Sequence, residues 1–295
     1  MVSLYIEKDM CCGCSACKSI CPQKAITMEP DENGFLFPHI NTKLCVGCKL
    51  CNKVCAFQNH IHMDKRPLAT FAALNKNKKV LEYSSSGGVF SALATIVINC
   101  GGIVFGCTMK QNQEIEHVYI TNIDDLYKLQ GSKYVQSDIK DTYSAAKEYL
   151  NKGRIVLYTG TPCQIDGLKY FLGKDYENLI TADIICHGVP SPTFFKGYYH
   201  YLDSKINASI KEFKFRSKKS DGANCVGNIK YIKRGKVYSK DLRYTLDFYY
   251  NYFMYGVIAR DSCFKCPYAS SNRPSDFTMG DYWGIEEVHP EINTT

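Results

Sequence analysis

The sequence predicts an α+β protein in which a small cysteine-rich module precedes a larger mixed α/β domain. Nine of the 16 cysteines lie between Cys11 and Cys55. The composition is that of a folded globular protein, with 45% hydrophobic and 22% charged residues. Beyond residue 67, helix-like and strand-like segments alternate along the chain, which is typical of a mixed α/β domain.

Composition and charge exclude several classes of protein. The chain has 36 Lys and Arg against 29 Asp and Glu, a net charge of +7, without a run of five or more like charges, so nucleic-acid binding is not expected. The most apolar stretch, 89–107, contains polar residues and a glycine pair, so no transmembrane segment is expected. No apolar signal region precedes the first cysteines, which predicts a cytoplasmic protein with reduced thiols.

The cysteine-rich module contains an internal repeat. Residues 11–22 and 45–56 each carry the spacing C-x2-C-x2-C-x3-C, and Asn33-Gly34 predicts a hairpin turn between them. This spacing is typical of a dicluster ferredoxin-like fold, in which three cysteines of each repeat bind one 4Fe–4S cluster and the fourth crosses to the other. The predicted ligand sets are Cys11, Cys14, Cys17 and Cys55, and Cys45, Cys48, Cys51 and Cys21.

Neither zinc knuckles nor a disulfide framework fits the repeat as well. Zinc knuckles need only paired C-x2-C hooks and leave the third and fourth cysteine of each repeat without a role. A disulfide framework disagrees with a reducing compartment. Cys12 falls outside the ligand spacing and is expected to be a bystander, although the spacing leaves its register with Cys11 ambiguous.

The polar segment 59–67 is predicted to link the module, 1–58, to the regions 68–150 and 151–295. The predicted strands are 69–74, 102–106, 115–120, 154–158, 179–185, 211–216 and 228–238, the last turning at Arg234-Gly235. The predicted helices are 88–99, a short one from Asn122 to Leu129, 141–150, 163–172 and 244–255. Strand 154–158, helix 163–172 and strand 179–185 make a βαβ unit.

Four further cysteines lie near the ends of predicted strands or in turns: Cys163, Cys186, Cys263 and Cys266. The C-x2-C pair at 263 and 266 is by itself a metal hook or a redox dithiol. Four thiols that converge from loops would satisfy a third 4Fe–4S cluster. Two buried cysteines beside a zinc or disulfide hook are the alternative.

Several longer segments together resemble a known family. They are YSSSGGVFSALA (83–94), GSKYVQSD (131–138), VLYTGTPCQIDGLKYFLG (156–173), DIICHGVPSP (183–192), KFRSKKS (214–220) and RDSCFKCPYASSNRPSDFTMGDYWGI (260–285). The sequence is similar to the family of coenzyme F420 hydrogenase/dehydrogenase beta subunits, in its bacterial type with a fused ferredoxin domain of two 4Fe–4S clusters. Relatives of this type continue well past GDYWGI, which is consistent with a truncated chain.

The resemblance implies an iron–sulfur flavoprotein oxidoreductase, so that the larger part is expected to be an α/β flavoprotein domain. FAD would pass electrons between the ferredoxin-type clusters and a hydride donor or acceptor, with coenzyme F420 as one implied substrate. The resemblance places the ligands of an additional 4Fe–4S cluster at Cys163, Cys186, Cys263 and Cys266. It also implies a ferredoxin-like or other redox partner protein, a small-molecule acceptor and a link to bacterial polysaccharide biosynthesis.

Candidate flavin contacts lie in two segments. Ser85, Ser86, Gly87 and Gly88 precede a predicted helix, whose first amides favour a pyrophosphate. Gly131, Ser132 and Lys133 offer a second backbone approach and a cation. Ordinary helix capping and a plain turn are the alternatives. No G-x-G-x-x-G motif follows a strand, so a Rossmann-type site is not supported.

Other residues carry weaker hypotheses, and no catalytic residue is assigned. Arg216, Lys218 and Arg273 could bind an acidic substrate or could simply be solvated. His187 could shuttle a proton, although a structural role is favoured. Asp281 could orient a loop, and Trp283 could be core or a pocket wall. Two other functions stay open, a non-catalytic electron-transfer subunit and a ferredoxin-dependent disulfide reductase.

Overall fold

The computed structural model describes residues 4–60, 67–217 and 226–289. The strands are β1 (Ile26–Pro30), β2 (Leu36–Ile40), β3 (Ile103–Met109), β4 (Ile115–Ile120), β5 (Val156–Gly160), β6 (Leu179–Ile184), β7 (Ile210–Ser217), β8 (Val226–Lys233), β9 (Lys236–Arg243) and β10 (Phe277–Met279). The α-helices are α1 (Ala16–Ile20), α2 (Leu50–Lys53), α3 (Lys78–Tyr83), α4 (Val89–Asn99), α5 (Thr142–Asn151), α6 (Pro162–Leu172), α7 (Pro192–Ile206), α8 (Phe248–Met254) and α9 (Ile285–Val288). This mixture confirms the predicted α+β class.

The cysteine-rich module is built around one hairpin and two short helices. β1 and β2 pair antiparallel, with Ile26 opposite Ile40, and the predicted turn falls at Gly34. α1 lies within the first cysteine repeat and α2 within the second, and the two helices contact each other. A 3₁₀ helix, Lys8–Met10, precedes the first repeat.

The larger domain contains a five-stranded sheet in the order β10-β6-β5-β3-β4. β3, β5, β6 and β10 run parallel, whereas β4 pairs antiparallel with β3. The interior of β3 and β5 is a continuous apolar run, as expected for strands that are covered on both faces. The predicted βαβ unit, β5-α6-β6, is therefore confirmed, and it brings the loops after β5 and β6 to the same sheet edge.

A second, antiparallel sheet in the order β7-β8-β9 packs against α7 and α8. Its core is aromatic, with Phe195 of α7, Phe215 of β7 and Tyr249 of α8 fully or almost fully buried. The turn predicted at Arg234-Gly235 connects β8 and β9, with both residues at positive φ.

The structure corrects the sequence prediction in several places. The predicted strand 69–74 is wrong, because this segment forms no strand and leaves Phe71 83% exposed. The short helix predicted from Asn122 is a 3₁₀ helix, Ile123–Lys128, which Asn122 does cap. α3 and α7 were not predicted. The helix predicted at 244–255 begins only after Asp247, whose carboxylate accepts from the amide of Tyr249.

Within the described ranges, no helix is long and apolar enough to cross a membrane.

Candidate iron–sulfur and cofactor sites

The first predicted ligand set lines a single cavity, which we call the inner site: Cys11, Cys14, Cys17 and Cys55. Leu4, Met28, Pro38 and Gln58 also line this cavity. Three of the thiols come from the first repeat and Cys55 comes from the second, as the crossing pattern requires. Burial raises the pKa of all four thiols, which is the cost of placing a thiolate here without a metal partner.

The second set lines another cavity, the outer site: Cys21, Cys45, Cys48 and Cys51. Here Cys21 is the thiol that crosses from the first repeat. Cys48 is exposed, and its neighbours Leu44 and Val46 are 50% and 66% exposed. The outer site therefore lies at the protein surface.

The two repeats have the same backbone geometry. Gly13 and Gly47 occupy equivalent positions with φ of 70° and 69°, and Ser15 and Lys49 follow with φ of 64° and 58°. These left-handed residues wrap each loop around its cavity and turn backbone amides toward sulfur. In the first repeat the amides of Gly13 and Ala16 donate to Cys11 and Cys14, which opposes the rise in their pKa values.

The arrangement of the cysteines fits a cluster better than a single ion. No group of three or more His, Cys, Asp or Glu side chains converges on one metal position within residues 4–60, 67–217 and 226–289. Instead, the thiols of each set surround a cavity, whereas zinc requires four ligands about 2.3 Å from one point.

The four remaining predicted ligands form a third cysteine set, which consists of Cys163, Cys186, Cys263 and Cys266. Cys163 follows β5 in the first turn of α6, and Cys186 follows the adjacent parallel strand β6. Cys263 lies in a 3₁₀ helix, Asp261–Lys265, and Cys266 directly follows it. The structure thus brings together four thiols from three separate segments.

Electrostatic coupling shows that these four thiols are neighbours. Burial is the main cause that raises the pKa of Cys186 to about 12, and proximity to the other three thiols adds to it. Burial likewise raises the pKa of Cys263 to about 11. The amide of Gly188 donates to Cys186 Sγ at 3.4 Å.

The inner site lies against this third set. Cys11 and Cys163 interact electrostatically, and the thiol of Cys12 contacts both Cys14 and Cys163. α1 packs against α6, where the absence of a side chain at Gly167 matters, since a Cβ there would lie 2.8 Å from Cys14 Sγ. Cys12, expected to be a bystander, therefore lies between two candidate sites.

The two candidate flavin segments also meet. The hydroxyl of Ser85 accepts a hydrogen bond from the amide of Ser132 at 2.8 Å, and the two hydroxyls are 3.0 Å apart. Gly88, at a φ of 76°, directly precedes α4. Burial lowers the pKa of Lys133 to about 8, and its amine donates to the carbonyl of Gln130. One surface therefore contains a helix N-terminus, two serine hydroxyls and a lysine.

The described residues that carry the weaker functional hypotheses contact other residues of the protein. Arg216 donates to Asp281 at 2.5 Å and lies 5.3 Å from the ring of Trp283, which is 56% exposed and so not part of the core. Arg273 donates to buried Asp183 and to two backbone carbonyls, so it holds the chain rather than a substrate. His187 contacts the carbonyl of Met254. Lys218 lies outside the described residues.

One further residue at this junction was not predicted from the sequence. Arg260 is 1% exposed and reaches from the start of the Asp261–Lys265 helix into the cysteine-rich module. Arg260 lies three residues before Cys263, and this position could have indicated a role near the third cysteine set. Nothing in the spacing indicates that its side chain reaches Cys11.

Comparisons with known proteins agree with this architecture. Residues 153–295 match the family model for the C terminus of the coenzyme F420 hydrogenase/dehydrogenase beta subunit, and residues 10–59 match a 4Fe–4S dicluster domain. Together these matches support a coenzyme F420 hydrogenase/dehydrogenase beta-subunit-like family with a fused ferredoxin-type domain. The resemblance stated from the sequence is therefore confirmed.

The chain is also similar to parts of two other proteins. A subunit of the F(420)H(2) dehydrogenase of Methanosarcina mazei is 26% identical over 193 residues, which cover 61% of this chain and 53% of the relative. The chain thus spans about half the length of this curated relative. The F420-reducing NiFe hydrogenase complex from Methanosarcina barkeri contains a chain with 19% identity and a TM-score of 0.37, covering 60% of this chain and 63% of that one.

Proposed function

We propose that this chain is an iron–sulfur flavoprotein oxidoreductase that passes electrons between 4Fe–4S clusters and a two-electron acceptor or donor. The observation that carries this proposal is a series of three cysteine sets. The outer site lies at the surface, the inner site adjoins it through Cys51, which lines both cavities, and the third set adjoins the inner site. Such a series suits one-electron transfer from the surface into the larger domain.

In this proposal each set holds one 4Fe–4S cluster, and FAD binds where Ser85 meets Ser132. A bound FAD would supply exchange between single electrons and hydride. The first amides of α4 and the amine of Lys133 would bind its negatively charged pyrophosphate, because both present positive charge. Coenzyme F420 is the first acceptor to test, since the relative from Methanosarcina mazei is named as part of an F(420)H(2) dehydrogenase.

The partner that we propose is an acidic electron carrier that docks on the outer site. Lys43, Lys49 and Lys53 are exposed around this site, and no Asp or Glu occurs between residues 33 and 63. The exposed apolar side chains of Leu44 and Val46 lie among them. An apolar centre with a basic rim is complementary to an acidic protein surface.

Anaerobic reconstitution of the full chain tests the cofactor content. We expect about twelve irons and twelve acid-labile sulfides per chain, from three clusters, and about one extracted flavin. Cys163→Ser should lower the iron count by about four. Cys100→Ser is the matched control, because this exposed cysteine belongs to no candidate site. A wild-type count near eight with bound flavin would exclude the third cluster, and a preparation without flavin would exclude the hydride step.

The disulfide-reductase alternative predicts a different result at Cys263 and Cys266. Redox-active dithiols have a lowered pKa, whereas burial raises the pKa of Cys263 to about 11. Rapid alkylation of these two thiols in the reconstituted protein, with an iron count near eight, would support the alternative. Protection from alkylation is the expected outcome.

A second candidate function is a non-catalytic electron-transfer subunit, which the word "subunit" in the name of the curated relative favours. Turnover by the purified chain alone separates the two. With dithionite as reductant, we expect reduction of coenzyme F420 or of another organic acceptor. Sugar-linked acceptors belong in the same panel because of the implied link to polysaccharide biosynthesis. Full cluster and flavin loading without any turnover would favour the non-catalytic role.

A further inference from the structure

Arg260 is a buried cation that donates hydrogen bonds to three neutral oxygen atoms. Its Nε donates to the carbonyl of Cys11 at 2.8 Å, Nη2 to the carbonyl of Leu36 at 3.0 Å and Nη1 to Oε1 of Gln136 at 3.0 Å. Its guanidinium lies 4.0 Å from the ring centre of Phe37. In the described part of the chain, no carboxylate lies within 4.0 Å of it.

Such a position is costly unless a negative charge compensates it. Removing a guanidinium from water costs several kcal/mol, which neutral carbonyls and a ring face offset only in part. The nearby groups that can become anionic are cysteine thiols. Burial raises the pKa of Cys11 and Cys263, and the hydrogen bond with Cys12 raises the pKa of Cys163, but the positive charge of Arg260 opposes each rise. These thiols belong to the inner site and to the third set.

The surroundings of Arg260 hold it in one orientation. Gln136 accepts from Arg260 and donates from its own amide to the carbonyl of Cys12 at 3.1 Å. Gly13 makes room for this pair, since a Cβ there would lie 2.7 Å from Gln136 Nε2 and 3.1 Å from Arg260 Nη1. The carbonyl of Arg260 accepts from the amide of Cys263. One side chain therefore joins the loop of the inner site to the segment that carries the third set.

We propose that Arg260 is a positioning residue that stabilises the reduced form of the inner cluster and so directs electrons from the outer site into the larger domain. This inference rests on the inner 4Fe–4S cluster of the proposed function. When one electron moves from the outer to the inner cluster, the outer cluster is oxidised by one electron and the inner cluster becomes one charge unit more negative. A fixed positive charge beside the inner cluster favours this transfer, because the dielectric constant of the interior is low.

The test is a redox titration of the reconstituted full chain, followed by electron paramagnetic resonance. A Cys21→Ser background removes the outer signal and so assigns the inner one. In Arg260→Gln we expect the ratio of reduced to oxidised inner cluster at a fixed potential to fall about tenfold, which is about 59 mV for one electron. The outer cluster is measured in chains that keep Cys21. Its ratio of reduced to oxidised form in Arg260→Gln should stay within about twofold of wild type.

Two further variants separate charge from packing. Arg260→Lys keeps the positive charge but loses the planar guanidinium group. The ratio of reduced to oxidised inner cluster in this variant should therefore stay within about threefold of wild type. Arg154→Gln is the matched control, since Arg154 also donates to a carbonyl, that of Gly101, outside all three cysteine sets. It should change neither ratio.

Three outcomes would overturn the inference: an unchanged inner ratio in Arg260→Gln, an equal shift in Arg260→Lys, or an equal shift in Arg154→Gln. If Arg260→Gln fails to load the inner cluster, the inference is tested with Arg260→Lys instead. A tenfold change in the ratio of reduced to oxidised inner cluster in that variant overturns the inference. A wild-type chain without an inner signal would instead contradict the proposed function.

Discussion

The two cysteine repeats have the same spacing and the same left-handed backbone positions, yet they lie in different surroundings. The cysteines of the inner site are all buried or half-buried, and this site packs on α6, with Cys14 beside Gly167. The outer site opens to the surface at Cys48, among exposed lysines. Solvent exposure and nearby charge set the potential of an iron–sulfur cluster. Under the proposed function, two motifs of the same spacing would therefore take different roles through their positions, one toward a partner and one toward the larger domain.

The largest expected effect comes from the two crossing cysteines. Cys55→Ser should remove the inner cluster although Cys55 belongs to the second repeat, and Cys21→Ser should remove the outer cluster although it belongs to the first. Each variant should lose about four irons per chain and one electron paramagnetic resonance signal. Cys14→Ser and Cys48→Ser identify the inner and outer signals, and Cys100→Ser should lose neither. If Cys55→Ser and Cys48→Ser lose the same signal, the ligands do not cross.

A smaller effect separates the surroundings of the two repeats. Gly13→Ala and Gly47→Ala impose the same backbone strain, about 1–2 kcal/mol, because both glycines have positive φ. A Cβ at Gly13 also lies within 3.1 Å of three atoms, whereas a Cβ at Gly47 meets nothing within 4 Å. We therefore expect Gly13→Ala to lower the free energy of unfolding by about 2–4 kcal/mol and Gly47→Ala by about 1–2 kcal/mol.

Anaerobic denaturant titration of the full chain measures both changes side by side. The two glycines are matched controls for each other, since the substitution and the backbone conformation are the same. Equal losses of stability would show that the inner loop is not held against Gln136 and Arg260 as the structure places it.

The smallest expected effect concerns the outer surface. The double variant Lys49→Glu/Lys53→Glu should slow reduction by an acidic ferredoxin about tenfold at low ionic strength, because these lysines attract the carrier during encounter. The difference should largely disappear near 1 M salt, where charges are screened within about 3 Å. Stopped-flow absorbance measures the rate. The double variant Lys211→Glu/Lys236→Glu, on β7 and β9, is the control with the same change of net charge, and an equal slowing by this control would mean that net charge alone is responsible.

Much of the architecture could be predicted from local patterns. The cysteine spacing predicts both ligand sets, since each loop supplies three of its thiols within seven residues. The apolar runs of β5 and β6 with α6 between them predict a parallel βαβ unit, which places Cys163 and Cys186 at one edge. The strand predicted at 69–74 failed because its alanines and Phe71 found no covering layer. α7 was missed although Ser191 and Pro192 form a regular helix start.

What the sequence by itself determined are the features that depend on neighbours along the chain: the loops of the repeats, the hairpin and the helix caps. Only the tertiary structure decided which repeat is buried, that Ser85 meets Ser132, and that Arg260 contacts Cys11, 249 residues away. The physical reason is that spacing and periodicity report local geometry, whereas these contacts depend on how all the apolar faces pack at once. A buried charge between two domains has no local signature, because both its cost and its compensation exist only after the domains meet.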